Sequence, residues 1–212
     1  LKAGEASEDH YDRASALCMD LKRVLSEGIA AVADQGQEIQ DGLGTYVFRE
    51  TFPYFMLSGM IDRSFSKPRG YAGDYYTIEL INLNRPRGDS RLGPLIDRHY
   101  LESAPSAAVR NRRSFMTKAL TEDYRERNGV ERHYQVTSLA AGAGRELFDF
   151  LGNVPTAAQV SATFVDIDPQ ALTYGSHLAQ EMGIKNRVLF AKENVIYLAL
   201  GRGRTRLPPQ DV

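Results

Sequence analysis

The sequence has 212 residues, 42% of them apolar and 25% charged, and a formal net charge of −1 at pH 7. This size and composition are enough for a buried core and indicate one large or two small globular domains. No run of about 18 apolar residues occurs, and the first residues lack the basic and apolar regions of a signal peptide, so neither a membrane span nor secretion is predicted. The single cysteine, Cys18, excludes an internal disulfide and a cysteine metal cluster. We therefore expect a cytoplasmic protein.

The charge distribution argues against nucleic acid as a partner, because a near-neutral chain has no field that attracts a polyanion. Two local basic clusters, AVRNRRSF (108–115) and GRGRTR (201–206), are predicted to be solvated surface segments. In the alternative interpretation the first cluster contacts nucleic-acid phosphates, which would make binding steeply salt-dependent.

Residues 1–130 are predicted to form a helical cap or substrate domain. The longest amphipathic stretch covers residues 11–34, with Leu17, Leu21, Val24 and Leu25 on one face. Apolar spacing predicts further helices around 42–60, 74–83, 91–103 and 105–128. Proline- and glycine-rich turns separate them.

From about residue 133 the pattern changes to alternating strands and helices. The segments YQVTSLAA, RELFDFLG, SATFVDID, PQALTYGSHLAQEMG and RVLFAKEN follow one another in that order. They predict a βαβαβ unit with a parallel sheet, so the fold class is α/β with a Rossmann-like sheet over 131–212. Asp168 is expected to cap the second helix, with Pro169 in its first turn and Gly183 at its exit.

A glycine loop, SLAAGAGREL (138–147), lies between the first strand and the first helix of this unit. Ligands bind such sheets beyond the carboxyl ends of the strands, and Gly142 and Gly144 allow a tight turn close to a ligand. The dinucleotide fingerprint fails because Leu147 replaces its third glycine, and the phosphate-loop ending Gly-Lys-Ser/Thr is absent. A nucleoside without phosphates therefore fits better.

Two further segments support a nucleoside site. Asp166 ends the second strand about 20 residues after the glycines, where a carboxylate accepts both ribose hydroxyls. Asn194 follows the third strand and is expected to meet the adenine N6 group, with Ile167 and Val195 against the ring.

These three segments resemble class I S-adenosylmethionine-dependent methyltransferases. The usual loop reads Asp-x-Gly-x-Gly-x-Gly, whereas here Ser138 and Ala140 replace its acid and first glycine. The resemblance implies bound S-adenosylmethionine. The residues expected at this cofactor are Ala140, Gly142, Gly144, Glu146, Asp166, Ile167, Asn194 and Val195.

A narrower resemblance spans roughly residues 45–200. The strings SKPRGYAGDYYTIELI, AVRNRR, SLAAGAGREL and FVDIDPQAL are similar to bacterial methyltransferases identified as extracellular-factor 3-hydroxypalmitic acid methyl ester biosynthesis proteins. This resemblance implies a helical cap before the methyltransferase fold and a small-molecule acceptor, for which the carboxylate of a hydroxy fatty acid is one candidate.

The string KPRGYAGDYY (67–76) has two interpretations. It is either a loop in which Asp74 caps a helix above packed tyrosines, or a segment that folds over cofactor and acceptor. For the second interpretation the residues proposed to hold a substrate or cofactor carboxylate are Arg69, Tyr71, Asp74, Tyr75 and Arg112, with Arg113 as a further alternative.

No catalytic residue can be assigned. A carboxylate acceptor is already ionised near neutral pH and needs no general base. His99 and His133 are the histidines nearest the candidate segments, and neither forms a catalytic motif. No metal is predicted, because the histidines make no metal-ligand spacing with carboxylates.

The chain ends at RLPPQDV, where a fourth strand should begin. The resemblance implies strand order 3-2-1-4-5-7-6, so the first strand would have an apolar open edge unless something covers it. Either the chain is a fragment, as Leu1 also suggests, or another chain or segment completes the sheet. A second function class stays open on these grounds: a non-catalytic nucleoside-binding or scaffold domain with a degenerate methyltransferase fold.

Overall fold

The computed structural model describes residues 7–127, 133–155 and 159–212. The described chain forms two compact units. The first comprises the residues up to 73 together with 80–108, and the second comprises 74–79 together with the residues from 109 onward. The division of the sequence into domains 1–130 and 131–212 stays a prediction.

The first unit is helical. The helices before the sheet are α1 (Glu8–Ala31), α2 (Gln37–Phe55), α3 (Gly59–Ser66), α4 (Tyr75–Leu83), α5 (Gly93–Glu102) and α6 (Ala104–Glu126). Of these, α4 and α6 have residues in both units. The single helix predicted at 42–60 is wrong: the chain breaks after Phe55, because Ser58 caps a new helix by accepting the Ile61 N–H at 3.1 Å.

The buried face of α1 also differs from the prediction. Leu17 and Val24 are 70% and 53% exposed. The more buried positions are Ala14, Cys18, Leu21 and Leu25, which repeat every three or four residues along a neighbouring stripe. Burial raises the pKa of the Cys18 thiol.

A buried carboxylate organises the first unit. Asp97 is 1% exposed and accepts hydrogen bonds from Ser58 Oγ at 2.5 Å and from the N–H groups of Met60 and Arg87, both at 2.7 Å. These bonds join the loop before α5, the start of α3 and α5 itself. Burial of this side chain costs less because both of its oxygens have donors.

The second unit contains the predicted α/β fold. Strands β1 (Tyr134–Leu139), β2 (Val160–Asp166) and β3 (Val188–Lys192) form a parallel sheet in the order β1-β2-β3. The connecting helices are α7 (Arg145–Asn153) and α8 (Pro169–Glu181), and the short α9 (Val195–Ala199) follows β3. The βαβαβ prediction is confirmed.

The predicted ends of α8 are confirmed as well. Asp168 caps the N-terminus by accepting the Gln170 N–H at 2.8 Å. At the other end Gly183 has φ +68, and the N–H groups of Gly183 and Ile184 bond back to the carbonyls of Gln180 and Ala179. This is a Schellman motif, which favours glycine because of the positive φ.

The core of the second unit lies between the sheet and its helices. Phe164 of β2 stacks between Phe148 of α7 and Phe190 of β3, with ring centroids 4.9 and 5.0 Å apart. Phe164 and Phe148 are each 1% exposed. Phe164 is therefore fixed from two sides, which matters for the glycine loop above it.

The outer edge of β1 is partly covered by the last residues of the chain. The Thr137 N–H donates to the Val212 carbonyl at 3.0 Å, and the Val212 N–H approaches the Gln135 carbonyl at 3.4 Å. This alternation is that of a parallel strand pair. Leu139, beyond the covered part, is 55% exposed.

Within the parts of the chain that the structure describes, no helix combines the length and the apolar character needed to cross a membrane.

Candidate functional site

The loop between β1 and α7 has three residues in the left-handed region. Ala140, Gly142 and Gly144 have φ of +54, +54 and +61. Glycine adopts this region without cost, whereas alanine is strained there. The loop therefore stores strain at Ala140 and avoids it at the two glycines.

The two glycines are needed for different reasons. A Cβ added to Gly144 would lie 2.3 Å from Cε1 of Phe164, so this position is small because a core ring fills the space. A Cβ added to Gly142 would lie 3.5 Å from Cβ of Tyr75, an ordinary contact. Packing alone thus explains Gly144, and a cofactor contact at either glycine stays a prediction.

Asp166 connects the loop to the ends of two strands. Its carboxylate accepts the Gly142 N–H at 2.7 Å and the Asp168 N–H at 2.8 Å, and its carbonyl accepts the Glu193 N–H at 3.0 Å. The residue is 9% exposed. Because a carboxylate has about four acceptor positions, roughly two remain for a ligand.

The segment after β3 lies at the same edge. Asn194 caps α9, its Oδ1 accepting the N–H groups of Ile196 at 2.9 Å and Tyr197 at 3.4 Å. The carboxylate of Glu193 accepts the N–H groups of Thr205, Arg204 and Asn194, and these bonds lower the pKa of Glu193. The chain beyond α9 is thereby attached to the end of β3.

The predicted adenine neighbours differ in exposure. Ile167 is 61% exposed, which leaves its side chain accessible at the end of β2. Val195 is half-buried at the start of α9. Glu146 is half-buried in the first turn of α7, where its carbonyl accepts the Thr117 hydroxyl at 3.2 Å. Their contacts with a cofactor stay predictions.

The segment KPRGYAGDYY (67–76) supplies a helix cap. Asp74 is 1% exposed and accepts the N–H groups of Tyr76 at 2.8 Å and Thr77 at 3.1 Å at the start of α4. This is the capping geometry considered in the first interpretation of the string. Tyr75 follows it and lies against Gly142.

The residues proposed to hold a carboxylate belong to two different units. Arg69 and Tyr71 belong to the first unit, while Asp74, Tyr75 and Arg112 belong to the second. Arg112 is exposed on α6. Their contact with an acceptor stays a prediction.

Arg113, the further alternative, has a partner within the second unit. Its Nε and Nη2 donate to the two oxygens of Asp149 at 2.6 and 2.7 Å. The carboxylate raises the pKa of Arg113. This bidentate ion pair joins α6 to α7.

Glu79, Arg145 and Tyr174 form a hydrogen-bonded cluster at the end of the glycine loop, which the sequence pattern does not predict. Glu79 of α4 is 1% exposed and accepts hydrogen bonds from Arg145 Nε at 2.9 Å, from Arg145 Nη2 and from the Tyr174 hydroxyl at 2.9 Å. Glu79 raises the pKa of Arg145, and burial followed by the bond to Glu79 raises that of Tyr174. A lone acid among apolar residues in TIELI and an arginine directly after Gly144 were the available signals.

No group of three or more His, Cys, Asp or Glu side chains among the described residues is placed to hold a metal ion.

A parallel sheet with a glycine loop after its first strand and a buried carboxylate after its second defines a Rossmann-like α/β protein, whose ligands bind at the carboxyl ends of the strands. The sequence identifies the family within this class. The chain belongs to the family described as "Putative methyltransferase", whose sequence model matches residues 69–198. The match includes α4, the glycine loop and all three strands.

Individual relatives are distant. The chain is 24% identical over 114 residues to the "Uncharacterized protein YnbC" of Escherichia coli strain K12, an alignment that covers 54% of this chain and 19% of the relative. It is similar to the structure of a "possible exported protein" from Bordetella parapertussis, with a TM-score of 0.44, 20% identity and coverage of 57% and 37%. A SAM-dependent methyltransferase from Agrobacterium tumefaciens gives a TM-score of 0.31, 14% identity and coverage of 42% and 25%. The chain thus spans about a fifth of the YnbC sequence and less than two fifths of either structure.

Proposed function

We propose that this chain binds S-adenosylmethionine at the carboxyl ends of β1, β2 and β3 and supports methyl transfer to a small-molecule acceptor. The observation that carries the proposal is the position of Asp166, a buried carboxylate that ends β2 and bonds to the glycine loop. Membership of a methyltransferase family supports the reaction type.

The residues at this edge fit a nucleoside. The remaining acceptor positions of Asp166 suit the two ribose hydroxyls, which are donors. Asn194 uses Oδ1 as a helix cap, so its NH₂ group is the part left for adenine. An NH₂ donor suits a ring nitrogen of adenine better than N6, which is itself a donor. Ile167 and Val195 would lie against the ring, and the loop from Ala140 to Glu146 would follow the rest of the cofactor.

The reaction makes modest demands on side chains. Asp166, Asn194 and the glycine loop would hold S-adenosylmethionine, which would supply its sulfonium methyl group to an acceptor oxygen and leave as S-adenosylhomocysteine. The protein must align the two molecules and exclude water. A carboxylate acceptor is ionised near neutral pH and needs no base.

We further propose a small oxygen acceptor, with the carboxylate of a hydroxy fatty acid as the first candidate, and a cytoplasmic location. The sequence resemblance in KPRGYAGDYY supports this acceptor, and the single cysteine supports the location.

Calorimetric titration tests the cofactor. Wild type should bind S-adenosylmethionine and S-adenosylhomocysteine and should not bind NADH. Asp166→Asn should weaken binding about tenfold or more, the equivalent of one lost charge-assisted hydrogen bond. The matched control Asp168→Asn alters the neighbouring helix cap and should bind as wild type does. Equal affinities in all three proteins would remove Asp166 from the site.

A labelled methyl group tests the acceptor. With methyl-labelled cofactor, 3-hydroxypalmitic acid should yield a product whose label is released by alkali, as expected of a methyl ester. The methyl ester of the same acid, in which the carboxylate is blocked, is the matched control and should accept no label. Labelling of the blocked compound would contradict a carboxylate acceptor.

A second candidate function is a nucleoside-binding or scaffold domain without turnover. Both oxygens of Asp166 have backbone partners, so this residue has a structural role even without a ligand. Ser138 at the position of the usual loop acid favours the same interpretation. Nucleoside binding without label transfer to any acceptor would support it.

A further inference from the structure

Glu79 is a buried carboxylate that the proposed chemistry does not use. It is 1% exposed, and its donors within the second unit come from two residues of separate helices, Arg145 of α7 and Tyr174 of α8. A buried charge is costly unless it is paired and fully hydrogen-bonded, and replacing such a pair by apolar residues often leaves stability unchanged or improved. Stability alone therefore gives a weak account of this cluster.

The position of Arg145 suggests a different role. Arg145 directly follows Gly144 and is the first residue of α7, so it fixes the end of the glycine loop. The Gly142 N–H is held independently by Asp166 at 2.7 Å. The loop between these points is made of Ala and Gly residues, whose small side chains cannot anchor it. The Gly144 N–H bonds to the Ala141 carbonyl at 2.8 Å and the Ala141 N–H to the Val165 carbonyl at 3.1 Å. Any further support must come from neighbouring side chains.

The helix that carries Glu79 also lies beside the loop at Gly142. Cβ of Tyr75 lies 3.5 Å from the position that a Gly142 Cβ would occupy. The Tyr75 ring lies 5.7 Å from that of Tyr174, centroid to centroid. Residues 75–79 therefore lie beside both the middle and the end of the glycine loop.

We infer that Glu79 is a positioning residue that acts through Arg145 to hold the glycine loop in its cofactor-binding conformation. This inference rests on the proposed function for the identity of the cofactor. Glu79 is 1% exposed, so its action on a bound cofactor would be indirect. The bidentate ion pair between Arg145 and Glu79 fixes the orientation of the first turn of α7, and with it the direction of the loop N–H groups.

Hydrogen exchange of the ligand-free protein tests the positioning. Glu79→Gln keeps the size of the side chain and removes its charge, and it should speed exchange of the hydrogen-bonded amides of Ala141, Gly142 and Gly144 about tenfold. The matched control Asp149→Asn breaks the Arg113 pair, which also anchors α7, and should leave these amides unchanged. If Glu79→Gln does not fold, Arg145→Lys, which keeps the charge and loses the fork, should show the same loosening to a smaller degree. Unchanged loop exchange in a folded variant would overturn the inference.

Binding of S-adenosylhomocysteine tests whether Glu79 acts through Arg145. Glu79→Gln should weaken binding about tenfold in the wild-type background and have no further effect in an Arg145→Gln background. Additive effects would overturn the proposed route through Arg145. If wild type does not bind the nucleoside, the proposed cofactor is contradicted. Faster loop exchange in Glu79→Gln would still show that Glu79 holds the glycine loop.

Discussion

Substituting Gly144 by alanine tests the packing of the loop against the sheet. The new Cβ would lie 2.3 Å from Cε1 and 2.6 Å from Cδ1 of Phe164. This ring cannot move aside easily, because it is 1% exposed and stacked between Phe148 and Phe190. The residue would also have to keep a φ of +61.

The two effects can be estimated separately. Forcing a methyl group into a packed core costs about 1–3 kcal/mol, and a left-handed alanine costs about 1–2 kcal/mol. Gly144→Ala should therefore lower the free energy of unfolding of the second unit by about 2–5 kcal/mol. Gly142→Ala is the matched control, because its φ is +54 but its Cβ would make only an ordinary 3.5 Å contact. Gly142→Ala should lower the free energy of unfolding only by the cost of a left-handed alanine, about 1–2 kcal/mol.

Native-state hydrogen exchange of the slowest amides in β2 measures the second unit by itself. The difference between the two variants should be about 1–3 kcal/mol, and Phe164→Leu should partly rescue Gly144→Ala because it removes the clashing ring edge. Equal losses at Gly142 and Gly144, or no rescue, would refute the assignment of Gly144 to core packing.

Three further predictions concern other residues. Ala140→Gly should raise the free energy of unfolding by about 0.5–1 kcal/mol in denaturant titrations, because it relieves a φ of +54 and this gain exceeds the entropy cost of glycine. Asp97→Ala should lower the stability of the first unit by about 3 kcal/mol or more, measured by exchange of α5 amides, because three donors, two of them buried, lose their acceptor. The backbone bonds that lower the pKa of Glu193 contribute stability above its unfolded-state pKa, and this contribution is lost as the pH falls through the folded-state value. Acid should thus speed hydrogen exchange of the Arg204 and Thr205 amides, which lose their acceptor. Glu193→Gln should make the exchange of these amides depend less on pH.

The sheet and its helices could be predicted because their signals are local. The cap at Asp168, the proline after it and the glycine at 183 act within one or two turns, and the apolar strands alternate with amphipathic helices. The apolar spacing does not predict the break between α2 and α3, since a serine cap is a weak signal beside it. The buried stripe of α1 depends on which helix it packs against, and spacing alone does not determine that.

The candidate site was predictable only in part. The position of Asp166 at the end of β2 follows from strand order, but its bonds to Gly142 and Asp168 depend on loop geometry. The pairing of Glu79 with Arg145 joins residues 66 positions apart and has no periodic signature. The reason for Gly144 is a ring on another strand, whereas the sequence pattern suggested a ligand.

Amide NMR of the 212-residue chain during titration with S-adenosylhomocysteine tests the proposed cofactor site. The largest shifts should fall on Gly142 and its loop, on Ile167 after Asp166, and on Asn194 and Val195, and NADH should produce none of them. Saturable shifts at any other place with these amides unmoved, or the same shifts with NADH, would contradict a nucleoside methyl-donor site at this edge of the sheet.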